Sequence, residues 1–128
     1  MNIKIIKIEK HEFINLHPTN KRMIHNNLLF YKMLDENGNV LGIRKAVKTE
    51  TGIMSLQVVI MQKYIRNAKY IIDSNIKYYL DRGTFEIFQP TERVKELLEI
   101  KPKFTFTKNK DSWEIIKIKE ELNGINRN

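Results

Sequence analysis

Residues 28–47 read LLFYKMLDENGNVLGIRKAV, in which two largely apolar runs flank a short polar segment. Asn37 and Gly38 in that segment both accept positive φ at little cost, and such a pair is a strong signal for a hairpin turn. The stretch therefore predicts an antiparallel hairpin that joins Leu28–Leu34 to Val40–Val47.

The sequence before this hairpin predicts one strand and a connection. Asn2–Lys10 contains β-branched isoleucines in partial alternation with polar residues, which is typical of a first strand. His11–Asn20 combines His, Pro and Asn residues, so we expect an irregular connection or a single helical turn there.

The sequence after the hairpin predicts two helices. Residues 53–82 contain neither Gly nor Pro, and apolar residues recur there every three to five positions. Because Asp73–Asn75 offers an N-cap within this segment, we expect one helix over about 53–70 and another over about 75–82. Residues 55–61 also have strand character, so the first helix could begin later.

The last third of the chain predicts a strand, a helix and a second hairpin. Thr84–Phe88 alternates as a short strand, and Thr91–Ile100 has the capping threonine and the apolar face of a helix. Phe104–Thr107 and Trp113–Ile118 are expected to pair through a polar turn. A helix over 113–123 is the alternative, because isoleucine and leucine also repeat there at helical spacing.

Composition limits the class of protein. A chain of 128 residues and 15.3 kDa fits a single domain over 1–128. The absence of cysteine excludes disulfides, cysteine-bound metals and a thiol nucleophile. No signal-peptide pattern and no long apolar run occur, so we expect a cytoplasmic protein that does not associate with a membrane.

Positive charge supplies the main functional hypothesis. The formal net charge is +8, which favours an anionic partner such as double-stranded DNA. Residues 101–119 hold six lysines against two acidic residues, and lysines on a hairpin can contact phosphates. The equally weighted alternative is that lysine protects an edge hairpin from unwanted strand pairing. The predicted DNA-binding residues are Lys101, Lys103, Lys108, Lys110, Lys117 and Lys119.

Catalytic motifs give no support for an enzyme. His11, His17 and His25 are separated by intervals that match no metal-ligand pair, and the glycines form no phosphate-binding loop. Glu99-Ile100-Lys101 has the letters of a nuclease motif, but its glutamate falls at a predicted helix end. We therefore expect no catalytic residues, no metal and no cofactor, with a small nuclease as the weakest hypothesis.

The order of elements in residues 71–125 resembles that of winged helix-turn-helix DNA-binding domains. Phe85–Ile87 would be the small strand of such a domain, and 103–118 its strands and wing. The core positions of the second helix are matched by Val94, Leu97, Leu98 and Ile100. The resemblance implies DNA binding, with a separate recognition helix only if 113–123 is helical.

These observations predict an α+β fold with an N-terminal strand and hairpin, central helices and a C-terminal basic hairpin. The predicted function is that of a small non-enzymatic DNA-binding protein, a regulator or accessory factor of a mobile element. The alternative is a phage- or plasmid-encoded interaction protein that inhibits a host protein. Either role allows a homodimer, and salt-dependent DNA binding would separate the two.

Overall fold

The computed structural model describes residues 2–18, 27–99, 104–108 and 114–118, with side chains over 2–18, 27–96 and 115–118. Strands dominate the described part of the chain, and three α-helices and one 3-10 helix connect them. In chain order the elements are β1 (Lys4–Ile8), α1 (Lys10–Leu16), β2 (Leu28–Leu34), β3 (Val40–Lys48), β4 (Gly52–Ile60), a 3-10 helix (Gln62–Asn67), α2 (Ala68–Leu80), β5 (Thr84–Phe88), α3 (Glu92–Glu99), β6 (Phe104–Lys108) and β7 (Glu114–Ile118).

The strands form one mixed sheet of seven, in the order β1-β2-β3-β4-β5-β7-β6. All neighbours are antiparallel except β4 and β5, which run parallel. A parallel pair needs a crossover connection, and the 3-10 helix with α2 supplies it. The sheet is continuous from β1 to β6, while a single domain over the whole chain stays a prediction.

The first strand and the first hairpin are confirmed. β2 pairs with β3 from Leu28 opposite Val47 onwards, within one residue of the predicted strands. The connection covers residues 35–39 and is therefore longer than a two-residue turn. The carboxylate of Asp35 stabilises it by accepting hydrogen bonds from the backbone N–H groups of Asn37 and Asn39, both at 2.9 Å. Of the turn pair only Gly38 takes positive φ, at 83°.

The helix predicted over 53–70 is wrong. Residues 52–60 form β4 between β3 and β5, and α2 begins only at Ala68. The apolar residues that suggested a helical face are explained by burial in the sheet, since β4 has neighbours on both sides and half-buried residues on both faces. Val58, Val59 and Ile60 are the β-branched residues that favoured a strand.

The predicted break between two helices is also wrong. α2 runs without interruption through the expected N-cap at Asp73–Asn75. Ser74 Oγ donates to the carbonyl of Tyr70 at 2.7 Å, and the Asn75 amide donates to the carbonyl of Ile71. Side chains that bond back to the preceding turn do not cap a new helix, so the segment stays continuous.

The strand and helix predicted after residue 83 are confirmed. β5 covers Thr84–Phe88, and α3 starts behind Thr91, whose hydroxyl accepts the N–H of Val94 at 3.2 Å. The second hairpin is confirmed as β6 and β7, and Glu114–Ile118 is a strand rather than part of the alternative helix. The remainder of that alternative, residues 113 and 119–123, lies outside the described residues.

The winged-helix arrangement is wrong, and so is the α+β fold class built on it. β7 pairs with β5, which makes the second hairpin the end of the central sheet instead of a separate wing. Lys117 stands opposite Glu86 in that pairing, a cross-strand pair of opposite charge. The helices connect strands of this one sheet. No helix of the described ranges is long and apolar enough to cross a membrane.

Two apolar layers cover the faces of the sheet. On one face, Phe13 of α1 packs against Phe30, with ring centroids 4.9 Å apart. On the other face, Tyr79 of α2 stacks on Phe85 at 4.9 Å and meets Tyr31 edge-on at 5.4 Å. The Tyr79 hydroxyl is buried and has no hydrogen-bond partner among the described residues.

Gly38→Val should lower the free energy of unfolding by about 1–3 kcal/mol, because a β-branched residue resists positive φ. An added Cβ would meet nothing within 4 Å, so the cost comes from the backbone alone. Gly38→Asn is the matched control and should lose clearly less, since Asn enters this region more readily. Urea denaturation of the three proteins measures the difference, and equal stabilities would contradict the turn geometry.

Stability at high pH should depend on Tyr79. Burial raises the pKa of Tyr79 from 10.0 to about 12, so the folded state holds a proton that the unfolded chain releases near pH 10. The stabilisation is present below pH 10 and is lost as pH rises towards 12. Between pH 8 and pH 11, the wild type should lose about 1.4 kcal/mol more unfolding free energy than Tyr79→Phe.

Urea titrations at the two pH values measure this loss. Tyr70→Phe is the matched control, because Tyr70 is 40% exposed on the same helix. It should follow the wild type at both pH values. A Tyr79→Phe variant with the pH dependence of the wild type would contradict a buried, neutral phenol.

Candidate functional site

The parallel pair at the centre of the sheet separates after a short distance. β4 and β5 are paired only from Gly52 opposite Thr84 to Ser55 opposite Ile87. Beyond Ser55, β4 continues to Ile60 while β5 ends at Phe88. Ligands bind beyond the carboxyl ends of parallel strands in many α/β sheets, so a site is expected where β4 and β5 separate.

A bulge in β4 produces the divergence. Lys45 of β3 lies opposite Gln57, but the next residue, Ala46, lies opposite Ser55. Leu56 is therefore an extra residue without a partner on β3. A bulge bends its strand and increases the local twist, and here it falls at the residue where pairing with β5 stops.

The divergence opens a cleft of about 210 Å³. Its walls come from the carboxyl halves of β4 and β5, and helices α2 and α3 contribute Ile72 and Val94. Gln89 follows β5 in the cleft wall and has a φ of 44°, the one positive value of a residue other than Gly among the described residues. Strained backbone of this kind is concentrated at functional sites.

Arg44 of β3 lines the cleft and is only 1% exposed. Its guanidinium donates to the hydroxyl of Ser55 and, at 3.1 Å, to the side-chain carbonyl of Asn75. The rings of Tyr79 and Phe85 lie 5.2 and 5.1 Å from its central carbon. Burial lowers the pKa of Arg44, and the neighbouring Tyr79 acts in the opposite direction.

A basic segment follows the open end of β4. The 3-10 helix Gln62–Asn67 carries Lys63 and Arg66, which are both exposed, and Lys69 pairs with Asp73 at 3.5 Å in the first turns of α2. The N–H of Ala68 at the start of α2 donates back to Ile65, so that amide is already used. Lys63 and Arg66 are therefore the exposed positive side chains that this segment offers to an anion.

The predicted lysine surface is largely outside the described residues. Lys101, Lys103, Lys110 and Lys119 lie in parts of the chain that the structure does not describe. Lys108 ends β6, and Lys117 is half-buried in β7. The described residues thus do not test the six lysines as a set. Their assignment as binding residues stays a prediction, as do the predicted DNA, host-protein and homodimer partners.

The histidines and the nuclease-like motif give no site either. His11 is exposed in α1, His17 follows that helix, and His25 lies outside the described residues. Glu99 ends α3, and the rest of its motif is not described. No group of three or more His, Asp or Glu that could hold a metal occurs in the part of the chain that the structure describes.

Comparison by sequence finds no relative. No protein-family model matches the chain, and no curated protein sequence matches it. The cleft residues Arg44, Ser55, Leu56 and Gln89 were also missed by sequence reasoning. The β-branched run at the end of β4 was the available signal for a strand, but nothing local indicates that its neighbour would diverge.

Comparison by structure finds N-acetyltransferases. A chimera of the spermidine N-acetyltransferase SpeG from Vibrio cholerae and hSSAT is 11% identical, with a TM-score of 0.60 over 92% of this chain and 94% of that one. A candidate acyl-CoA N-acyltransferase from Klebsiella pneumoniae is 13% identical, with a TM-score of 0.56 over 91% and 96%. The candidate N-acetyltransferase YhhK from E. coli, solved with coenzyme A bound, is 14% identical, with a TM-score of 0.56 over 93% and 100%.

These neighbours correct the functional predictions. The resemblance to winged helix-turn-helix domains is wrong, and the prediction of a DNA-binding protein falls with it. The expectation of a protein without enzymatic activity is contradicted as well, because the proteins that share the fold are transferases by name. The chain has the fold of the N-acetyltransferases.

Proposed function

We propose that this protein is an N-acyltransferase that uses an acyl-coenzyme A as acyl donor. The observation that carries the proposal is the cleft between β4 and β5, opened by the bulge at Leu56, in a fold shared with N-acetyltransferases over more than nine-tenths of both chains. One of those neighbours was solved with coenzyme A bound.

The open edge of β4 fits the pantetheine arm of coenzyme A. From Leu56 to Ile60 the edge of β4 that faces away from β3 pairs with no strand of the described residues. The pantetheine arm carries two amides in an extended chain, and an unpaired strand edge binds such a chain as an added strand. Half-buried side chains on both faces of this segment would supply apolar contact.

The basic segment fits the phosphates. Lys63 and Arg66 place two exposed positive charges directly after β4, and charged donors bind phosphate oxygens more strongly than neutral ones. The crossover after β4, residues 61–82, lacks glycine, so side chains surround the backbone there. We therefore assign phosphate binding to these two side chains.

Catalysis in this cleft would depend on positioning. An acceptor amine attacks the thioester carbonyl, an amide forms, and the carbon–sulfur bond breaks to release the thiol while the amine loses a proton. The described residues that line the cleft include no carboxylate, imidazole or phenol. Holding the donor along β4 beside the acceptor is the contribution that the described residues support.

The cytoplasmic location predicted from the sequence is retained as part of this proposal. An acyl-coenzyme A is a soluble intracellular metabolite, so an enzyme that consumes it has to work in the same compartment. Fractionation of cells that express the protein from its own gene tests the location independently of the activity.

Isothermal titration with coenzyme A tests the donor site. Lys63→Ala/Arg66→Ala should weaken binding about 10- to 30-fold, since each charge-assisted contact contributes on the order of 1 kcal/mol. Pantetheine lacks the phosphates, so its affinity should be the same for both proteins. Lys4→Ala/Lys7→Ala is the matched control, because it removes two exposed charges from β1, three strands away from β4. Failure of the wild type to bind coenzyme A at about 1 mM, the weak end of useful affinities, would contradict the proposal.

Thiol release tests the reaction itself. The chain has no cysteine, so a thiol reagent reports the released coenzyme A without a signal from the protein. Incubation with acetyl-coenzyme A and a panel of primary amines should release thiol above the rate without amine. The Lys63→Ala/Arg66→Ala variant should raise KM for the donor more than it lowers kcat, since those side chains do not reach the reacting carbonyl.

A further inference from the structure

Arg44 is a buried cation whose charge is not neutralised in the described part of the chain. Its two hydrogen-bond acceptors, Ser55 and Asn75, are both neutral. Its Nε atom is buried without a partner, and no carboxylate of the described residues forms a salt bridge with it. Taking a guanidinium out of water without an anion is costly, so its retention calls for an explanation.

The surroundings of Arg44 favour a ligand as that explanation. A guanidinium has five N–H donors in a rigid fork that matches a carboxylate, and only two hydrogen bonds are made here. The side chain lines the cleft next to Ser55 and Leu56, where β4 and β5 separate. None of the described residues that line this cleft is acidic.

We propose that Arg44 binds a carboxylate group of the substrate, an inference that rests on the proposed acyltransferase function. Two sources supply this chemistry. One is an acyl group that ends in a carboxylate, such as succinyl on coenzyme A. The other is the carboxylate of an amino-acid acceptor. A polyamine acceptor fits poorly, because it would bring further positive charge to a buried cation in a protein of net charge +8.

The two sources are separated with matched pairs of substrates. Succinyl-coenzyme A and butyryl-coenzyme A have acyl chains of equal length and differ by the terminal carboxylate. An L-amino acid and its amide differ in the same way on the acceptor side. The wild type should prefer the carboxylate in one of the two pairs roughly 10-fold or more, in affinity for the donor or in kcat/KM for the acceptor.

Arg44→Met should abolish this preference, so that the two members of the pair become equal in affinity or in kcat/KM. Its Tm without ligand should fall, because the buried acceptors on Ser55 and Asn75 lose their donor. A residue with a purely structural role would lower Tm in the same way but leave substrate preference intact, so substrate preference separates the two roles. Arg93→Met is the matched control, since that arginine is exposed on α3.

A second variant covers the case in which Arg44→Met does not fold. Ser55→Ala removes one neutral partner and keeps the guanidinium, so the preference for the carboxylate should persist. Butyryl-coenzyme A bound and turned over by the wild type, without preference in either pair, would overturn the carboxylate site and leave the acyltransferase function standing. Failure to bind any thioester would overturn both.

Discussion

The close approach of β4 to β5 at Gly52 and Thr84 is the constraint on which the rest of the structure depends. A Cβ on Gly52 would lie 1.9 Å from the carbonyl oxygen of Thr84, so only glycine allows this contact. The N–H of Thr84 donates to Thr51 at 3.0 Å and fixes the start of the parallel pair. β7 and β6 join the sheet through β5, so the positions of these three strands depend on the contact between Gly52 and Thr84.

The pairing of β4 with β5 does not continue beyond Ser55 and Ile87. With the amino ends of the two strands fixed, the extra residue at Leu56 turns the remainder of β4 away from β5. α2 must then cross over a sheet that is split beneath its length. Its buried polar residue, Asn75, meets Arg44 at the split, and Tyr79 packs beside them. The polar cluster of Arg44, Ser55 and Asn75 thus lies where the pairing of β4 with β5 ends. Apolar side chains would otherwise fill this gap.

The sequence predicts the local elements well and their assembly poorly. Both hairpins, β5 and α3 depend on turn residues, caps and alternation within a few positions, and each is confirmed. The sequence of β4 resembles that of a helix because a strand half-buried on both faces has apolar residues at most positions, and these also match a helical period. The Ser74 and Asn75 side chains resemble a cap, but their bonds to the preceding turn are visible only in the folded helix.

The candidate site could not be predicted for a different reason. Arg44 lies 11 positions before Ser55 and 31 positions before Asn75, the two residues to which it donates hydrogen bonds. No spacing rule connects residues so far apart in the sequence. Their meeting depends on the β3–β4 register, the bulge and the crossover together. Arg44 alone is one of 23 basic residues in the sequence and stands out only through its burial.

The position of the charge matters more for function than its total. A net charge of +8 attracts polyanions of any size, including nucleic acids and the phosphates of coenzyme A. Exposed lysines produce this long-range attraction but discriminate little, because water and salt screen them. A buried guanidinium is desolvated already, so an anion of matching shape recovers interactions that the folded protein lacks. In the proposed enzyme, surface charge would therefore increase the rate of association with the donor, and Arg44 would determine which substrate binds tightly.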